Sequence, residues 1–163
     1  IENSKGELVP TMKISSNAAK ISTPGIKQVW RITRNHDGKS EGDYVALIDE
    51  RPDLEESLFM FHPVHTYINK TVVDFTARPL LTEVWKDGKC VYDLPSVDEI
   101  RDYAAHNISA LWDEYKRILN PEQYPVDLSQ NLYDEKMRSI KDIRDKVDNH
   151  VLEIEEELSK EGE

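Results

Sequence analysis

The sequence predicts an α+β fold, with a mainly antiparallel sheet of about five or six strands followed by two long C-terminal helices. Before residue 93, short runs that alternate apolar and polar residues are separated by short turns, two of which contain Asp-Gly. Such short turns favour antiparallel pairing, because parallel strands need a long crossover connection. After residue 95 the apolar residues recur every three or four positions, which is the spacing of an amphipathic helix.

Residues 1–25 are predicted to be a strand end, a turn and a loop. Apolar residues flank the turn sequence Asn3-Ser4-Lys5-Gly6, and the chain starts abruptly at Ile1. We therefore expect the first strand to begin upstream of Ile1, so that the chain is the tail of a longer protein. The loop that follows has two interpretations: it satisfies its own backbone, or it contacts an anion through Lys13, Ser15 or Lys20.

Residues 26–95 are predicted to be the antiparallel β region. Trp30 and Ile32 alternate with polar residues in the first strand, the turn around Asp37-Gly38 follows, and residues 44–48 return. An acidic linker covers residues 49–58. Residues 71–75 and 80–85 read as further strands, and Asp87-Gly88 marks a second hairpin that leads into residues 90–92.

Residues 96–163 are predicted to be the helical region. Ser96 and Glu99 have the spacing of a capping box, and the apolar pattern after them continues to Leu119. Residues 120–127 read as a connector held by two prolines, and Asp127 or Ser129 is expected to cap the second helix. That helix carries a narrow apolar stripe formed by Leu132, Ile140, Ile143, Val147, Val151, Ile154 and Leu158.

Residues 59–67 concentrate the chemistry, because two of the five histidines lie in these nine residues. Three interpretations are open for His62 and His65: metal ligands, a catalytic base, or imidazoles hydrogen-bonded to backbone or to a neighbouring domain. Pro63 argues against a helix, and in an extended chain residues three apart point to opposite faces. The third interpretation is favoured, so His62, Pro63, His65 and Tyr67 are predicted to form a structural clasp, with no metal site and no catalytic residue in this chain.

Composition excludes several classes of function. The formal net charge is −11, which argues against a role in binding nucleic acid or an anionic membrane. Cys90 is the only cysteine, so neither an internal disulfide nor a zinc site built from several cysteines can form. The sequence has no phosphate-binding glycine loop and no Gly-x-Ser-x-Gly nucleophile motif.

Three stretches, taken in order, resemble the C-terminal part of bacterial nicotinate phosphoribosyltransferases. The first combines residues 12–15 (MKIS) with residues 20–31 (KISTPGIKQVWR), and the second is residues 60–67 (MFHPVHTY). The third and most specific joins residues 111–117 (LWDEYKR) to residues 119–129 (LNPEQYPVDLS). The resemblance covers residues 1–150.

This resemblance implies a role in NAD salvage. The family makes nicotinate mononucleotide and pyrophosphate from nicotinate and phosphoribosyl pyrophosphate, with coupled ATP hydrolysis, in an α/β barrel completed by a second subunit. The chain would then be an accessory domain in a cytoplasmic enzyme, with its own upstream barrel and the second subunit of a homodimer as partners. The catalytic residues, and the sites for ATP and Mg, would lie upstream, so that this segment binds no cofactor.

The resemblance also bears on three polar residues near the start of the chain. Lys13, Ser15 and Lys20 match the family's Lys-x-Ser…Lys pattern after the last barrel strand, which implies positions that could face the mouth of the active site. The alternative interpretation of the whole chain is an independent protein-interaction module without catalytic activity, in which the long C-terminal helix docks a partner.

Overall fold

The computed structural model of this chain describes residues 15–17 and 20–161. Lys13 and the strand predicted at the start of the chain lie outside these residues. The chain divides into two compact units, one formed by residues 26–129 and one that contains the long C-terminal helix. Each unit is described separately below.

The unit of residues 26–129 is built on a six-stranded sheet with a small separate hairpin. The strands of the large sheet are β1 (Lys27–Arg34), β2 (Ser40–Leu47), β3 (Leu58–Phe61), β4 (Asn69–Val72), β5 (Phe75–Pro79) and β8 (Val126–Leu128). Their spatial order is β4-β3-β8-β2-β1-β5. The short strands β6 (Trp85–Lys86) and β7 (Lys89–Cys90) pair only with each other among the described strands.

Most pairings in the large sheet are antiparallel, as predicted, but the sheet is mixed because one pairing among the described strands is parallel. β1 pairs antiparallel with β2 and β5, and β3 pairs antiparallel with β4 and β8, but β2 and β8 are parallel. The strand β8 lies in residues that were predicted to be a connector. Its three residues are too few to show a period of two, and Pro125 directly precedes them. Asp127 therefore belongs to a strand and is not the cap of the second helix.

The first helix, α1 (Val97–Ala110), is shorter than predicted. The predicted capping box is confirmed, because the Glu99 amide donates to the Ser96 hydroxyl and the Ser96 amide donates to the Glu99 carboxylate. The helix ends early because Leu111 is extended and the ammonium of Lys39 donates to the carbonyl oxygens of Ser109 and Leu111, at 2.9 and 3.3 Å. A short 3₁₀ helix (Asp113–Lys116) follows.

The core of this unit lies on one face of the sheet. Side chains of β2 alternate between buried and half-buried positions, as expected for a strand with one covered face. Ile32, Ala46 and Met60 are fully buried, and Phe75 is 1% exposed. The complete cluster of buried core residues is Ile32, Tyr44, Ala46, Leu58, Met60, Val72 and Phe75.

The second unit contains α2 (Gln130–Glu161), a helix of 32 residues. Leu132 and Ile140, at the start of the predicted apolar stripe, are buried. Further along the same stripe, Val147 and Val151 are exposed. Lys136 is also buried, and this desolvation lowers the pKa of its ammonium group. In the described part of the chain, neither α1 nor α2 has the length and apolar content that crossing a bilayer demands.

Candidate functional site

The histidine stretch forms the loop, residues 62–68, that joins β3 to β4. The backbone N–H of His62 donates to the carbonyl of Ile68 at 2.9 Å, and the N–H of Ile68 donates to the carbonyl of His65 at 2.8 Å. The Nδ1 atom of His62 accepts from the N–H groups of Val64 and His65, at 3.1 and 2.9 Å. In the neutral imidazole of His62 the ring proton is therefore on Nε2. All of these hydrogen bonds are formed within the loop, so they stabilise its conformation.

The two histidine rings lie together, which corrects the expectation that they point to opposite faces. Their centroids are 5.1 Å apart in a stacked arrangement, and the ring of Tyr67 lies 5.7 Å from that of His65. The expectation assumed an extended chain, but the strand ends at Phe61, one residue before His62. Among the described residues, no three His, Cys, Asp or Glu side chains are grouped so as to hold a metal ion.

The segment of residues 122–127 lies opposite this loop. It is held against β2 by the parallel pairing of β8 and by the N–H of Asp43, which donates to the carbonyl of Pro125 at 3.0 Å. The loop and the segment enclose a cavity of about 550 Å³, which we call the histidine–aspartate cavity. Its lining includes His62, Pro63, His65, Lys70, Tyr124 and Asp127. Two of the three stretches singled out in the sequence thus meet at one cavity.

Asp127 is the most unusual residue of the histidine–aspartate cavity. It is only 6% exposed, and burial raises the pKa of its carboxyl group. Among the described residues, no side chain or backbone group hydrogen-bonds to this carboxylate. Lys70 and His62 lie near enough to oppose the rise in its pKa. However, the ammonium of Lys70 donates to the backbone carbonyl of Glu41 and lies 3.4 Å from its carboxylate.

Sequence reasoning identified one wall of this cavity and missed the other. His62, Pro63 and His65 were singled out, whereas Lys70 was not considered and Asp127 was assigned to a helix cap. The signal for Asp127 was its place in the apolar run Val126-Asp127-Leu128 directly after a proline, where an acidic residue is unusual for a strand.

A second polar cluster joins β1 and β2 to α1 and to Tyr124. We call it the arginine cluster, and its members are Arg31, Asp43, Arg78, Asn107 and Tyr124. The guanidinium of Arg31 donates twice to the carboxylate of Asp43, at 2.9 and 3.1 Å, and this pairing raises the pKa of Arg31. The hydroxyl of Tyr124 donates to the same carboxylate at 3.1 Å, and burial raises the pKa of Tyr124 to about 12. The amide oxygen of Asn107 accepts from Arg31 at 3.3 Å and from Arg78 at 2.8 Å. The cluster therefore holds α1 on the sheet and fixes Tyr124 in the cavity wall.

Replacing Asp43 by Ala is expected to lower the free energy of unfolding by about 2–3 kcal/mol, because it leaves a mostly buried guanidinium without its carboxylate. Denaturant unfolding followed by circular dichroism measures this loss. The matched control is Glu114→Ala, which removes a half-exposed ion pair with Arg117 and should cost about 0.5 kcal/mol or less. Equal losses in the two variants would contradict the role given to the arginine cluster.

The three substrate-proximal candidates are only partly described. Lys13 lies outside the described residues. The hydroxyl of Ser15 accepts from the amide of Asn17 at 3.2 Å, and the amide of Lys20 donates to the carbonyl of Asn17 at 2.9 Å. The side chain of Lys20 is exposed. Their contact with an anion stays a prediction.

Residues 94–119 expose an unusual number of large apolar side chains. α1 has no buried residue, so the apolar face that the sequence predicts for it is open to solvent in this chain. An extensive exposed apolar surface is typical of a site that contacts another protein segment. The most exposed aliphatic side chains of this surface are Leu94, Val97, Ile100, Ile108, Ile118 and Leu119.

The known proteins that this chain resembles are nicotinate phosphoribosyltransferases. A family model described as the nicotinate phosphoribosyltransferase C-terminal domain matches residues 26–136. A nicotinate phosphoribosyltransferase of Bacillus subtilis is 45% identical over 152 residues, which cover 93% of this chain and 30% of that protein. One of Caenorhabditis elegans is 32% identical over 76% of this chain and 22% of its own length. The chain thus spans less than a third of these relatives.

A solved structure shows the same relationship in three dimensions. The crystal structure of human nicotinic acid phosphoribosyltransferase superimposes with a TM-score of 0.61 at 30% sequence identity. The match covers 68% of this chain and 22% of the human chain. The sequence and structure comparisons therefore both match this chain to less than a third of a longer relative.

Proposed function

The chain belongs to the nicotinate phosphoribosyltransferase family as its C-terminal domain, and we propose that it is the accessory domain of an enzyme of NAD salvage. That enzyme forms nicotinate mononucleotide and pyrophosphate from nicotinate and phosphoribosyl pyrophosphate, with hydrolysis of ATP. The domain braces the catalytic barrel and binds no cofactor itself, whereas the barrel binds ATP and Mg. The enzyme acts in the cytoplasm as a homodimer.

The observation that carries this proposal is the alignment of almost the whole chain with 30% of a longer phosphoribosyltransferase. The exposed apolar surface of residues 94–119 supports it, because such a surface fits a domain that packs on another part of its protein. The partners are then the chain's own upstream barrel and the second subunit. On this proposal Lys13, Ser15 and Lys20 lie close to the mouth of the barrel.

The coding sequence upstream of Ile1 tests the assignment directly. A reading frame that continues upstream into a barrel sequence supports the accessory-domain proposal. A start codon immediately before Ile1, with no such frame, would contradict it. The alternative would then be an independent protein-interaction module, for which the exposed residues Val147 and Val151 of α2 provide a docking stripe.

Activity measurements give a second test. The isolated chain is expected to neither consume phosphoribosyl pyrophosphate nor form nicotinate mononucleotide, because the catalytic residues lie in the barrel. Product formation is followed by chromatography, with the full-length protein at equal concentration as the positive control. Turnover by the isolated chain would show that catalysis does not depend on the barrel.

A further inference from the structure

The histidine–aspartate cavity has a chemical feature that a bracing role does not explain. Only 6% of the surface of Asp127 is exposed. Among the described residues, no group donates a hydrogen bond to its carboxylate. The carboxylate oxygens are not fully enclosed, so their lone pairs can accept from a group that enters the cavity. The cavity that it lines is large enough to admit a group that supplies the missing donors.

Two of the nitrogen donors that line the cavity, those of Lys70 and Asn69, are committed elsewhere. The ammonium of Lys70 is held by the carbonyl and carboxylate of Glu41. The side-chain amide of Asn69 donates to the carbonyl oxygens of Thr66 and Tyr67, at 3.3 and 3.2 Å. The Nδ1 atom of His62 accepts two backbone N–H groups, so the neutral ring donates only through Nε2, and among the described residues no hydrogen bond joins that nitrogen to Asp127.

The remaining lining indicates which class of ligand fits. Glu122 adds a second carboxylate to the lining of the cavity. The one ammonium group in this lining belongs to Lys70 and is paired with the carboxylate of Glu41. An anion would therefore meet like charge, and a cation would be attracted. The same lining contains flat aromatic surfaces, the stacked rings of His62 and His65. A guanidinium combines the required features: it donates in pairs to a carboxylate and stacks on planar rings.

We propose that the histidine–aspartate cavity binds a cationic hydrogen-bond donor of the guanidinium type, with Asp127 as its ion-pair partner. The cation has two chemical sources, an arginine side chain from elsewhere in the full-length protein or a free guanidine-containing small molecule. The site goes beyond the accessory role proposed above, and its first test does not depend on phosphoribosyltransferase activity.

The first test titrates methylguanidinium onto the chain and follows the imidazole proton signals of His62 and His65 by NMR. Saturable shifts are expected, and Asp127→Asn should weaken binding about tenfold or more because the charge-assisted hydrogen bonds are lost. The control Glu56→Gln, at an exposed carboxylate outside the cavity lining, should change affinity less than about threefold. Inorganic phosphate should cause no saturable shift. Equal affinity in Asp127→Asn, no binding of methylguanidinium, or binding of phosphate would overturn the proposal.

The second test measures the melting temperature, which also reports whether the variant folds. In the isolated chain, Asp127→Asn should leave the melting temperature unchanged or raise it, because the buried carboxylate has no partner to lose. A fall of several degrees would show that the carboxylate is paired within the chain and would contradict the proposal.

The full-length protein distinguishes the two sources of the cation. If an arginine of the protein fills the cavity, the full-length protein should not bind methylguanidinium, and Asp127→Asn should lower its melting temperature. If the ligand is a free small molecule, the full-length protein should bind methylguanidinium as the isolated chain does. Failure of the accessory-domain proposal would be detected separately, by the missing upstream reading frame.

Discussion

Replacing Gly42 by Ala is expected to lower the free energy of unfolding by about 2–5 kcal/mol, one of the largest effects of any single substitution in this chain. Gly42 lies in β2 with a φ of 148°, a backbone conformation that residues with a Cβ rarely adopt. An added Cβ would also lie 3.0 Å from the carbonyl oxygen and 3.1 Å from the Cβ of Pro125. Either β2 or the segment of residues 122–127 must then move.

The control for this substitution is Gly38→Ala, in the turn between β1 and β2. Gly38 has a φ of 68°, but nothing lies within 4 Å of a Cβ added there. That variant carries the backbone strain alone and should lose about 1 kcal/mol. Denaturant unfolding of both variants separates the two effects. Equal losses would contradict the expected steric conflict between a Cβ at position 42 and Pro125.

Replacing Phe75 by Ala is expected to lower the free energy of unfolding by about 3–5 kcal/mol. The ring is 1% exposed and belongs to the same buried cluster as Ile32 and Met60. Its removal therefore leaves a cavity between β5 and the rest of the core, in addition to the loss of buried apolar surface.

The matched control is Phe59→Ala. Phe59 is a residue of β3 with the same side chain, but 48% of its surface is exposed. Its loss should cost about 1 kcal/mol or less, because little apolar surface returns to water. Thermal and denaturant unfolding of the two variants give the comparison. A loss in Phe75→Ala no greater than in Phe59→Ala would contradict the placement of the core.

The sequence predicted the features that depend on neighbours in the chain. The capping box of Ser96 and Glu99 was visible because its two members are three residues apart and need nothing else. The end of α1 was not visible, because it is set by Lys39, which lies 70 residues before Ser109 and donates to its carbonyl oxygen. The apolar pattern continues past that point, and local spacing alone cannot show where a distant side chain interrupts it.

The same distinction applies to the candidate site. The composition of the stretch around His62 drew attention to one wall of the cavity, but the spacing argument for the ring orientation failed because it assumed a continuing strand. The other wall depends on the parallel pairing of β2 with β8, whose residues are more than 80 positions apart. A strand of three residues is too short to show an alternation of apolar and polar residues, so its pairing with β2 could not be predicted from the sequence.

The position of β8 has a consequence for how the domain folds during synthesis. β8 lies between β3 and β2 in the sheet, yet it is the last of the six strands to be translated. Until residue 128 has left the ribosome, the nascent chain can form only two separate pieces, β1–β2–β5 and the β3–β4 hairpin. Because so distant a pairing must close a long loop, the joining step should be slow and should limit the folding rate. Nascent chains that end before residue 126 should therefore expose open strand edges and depend on chaperones.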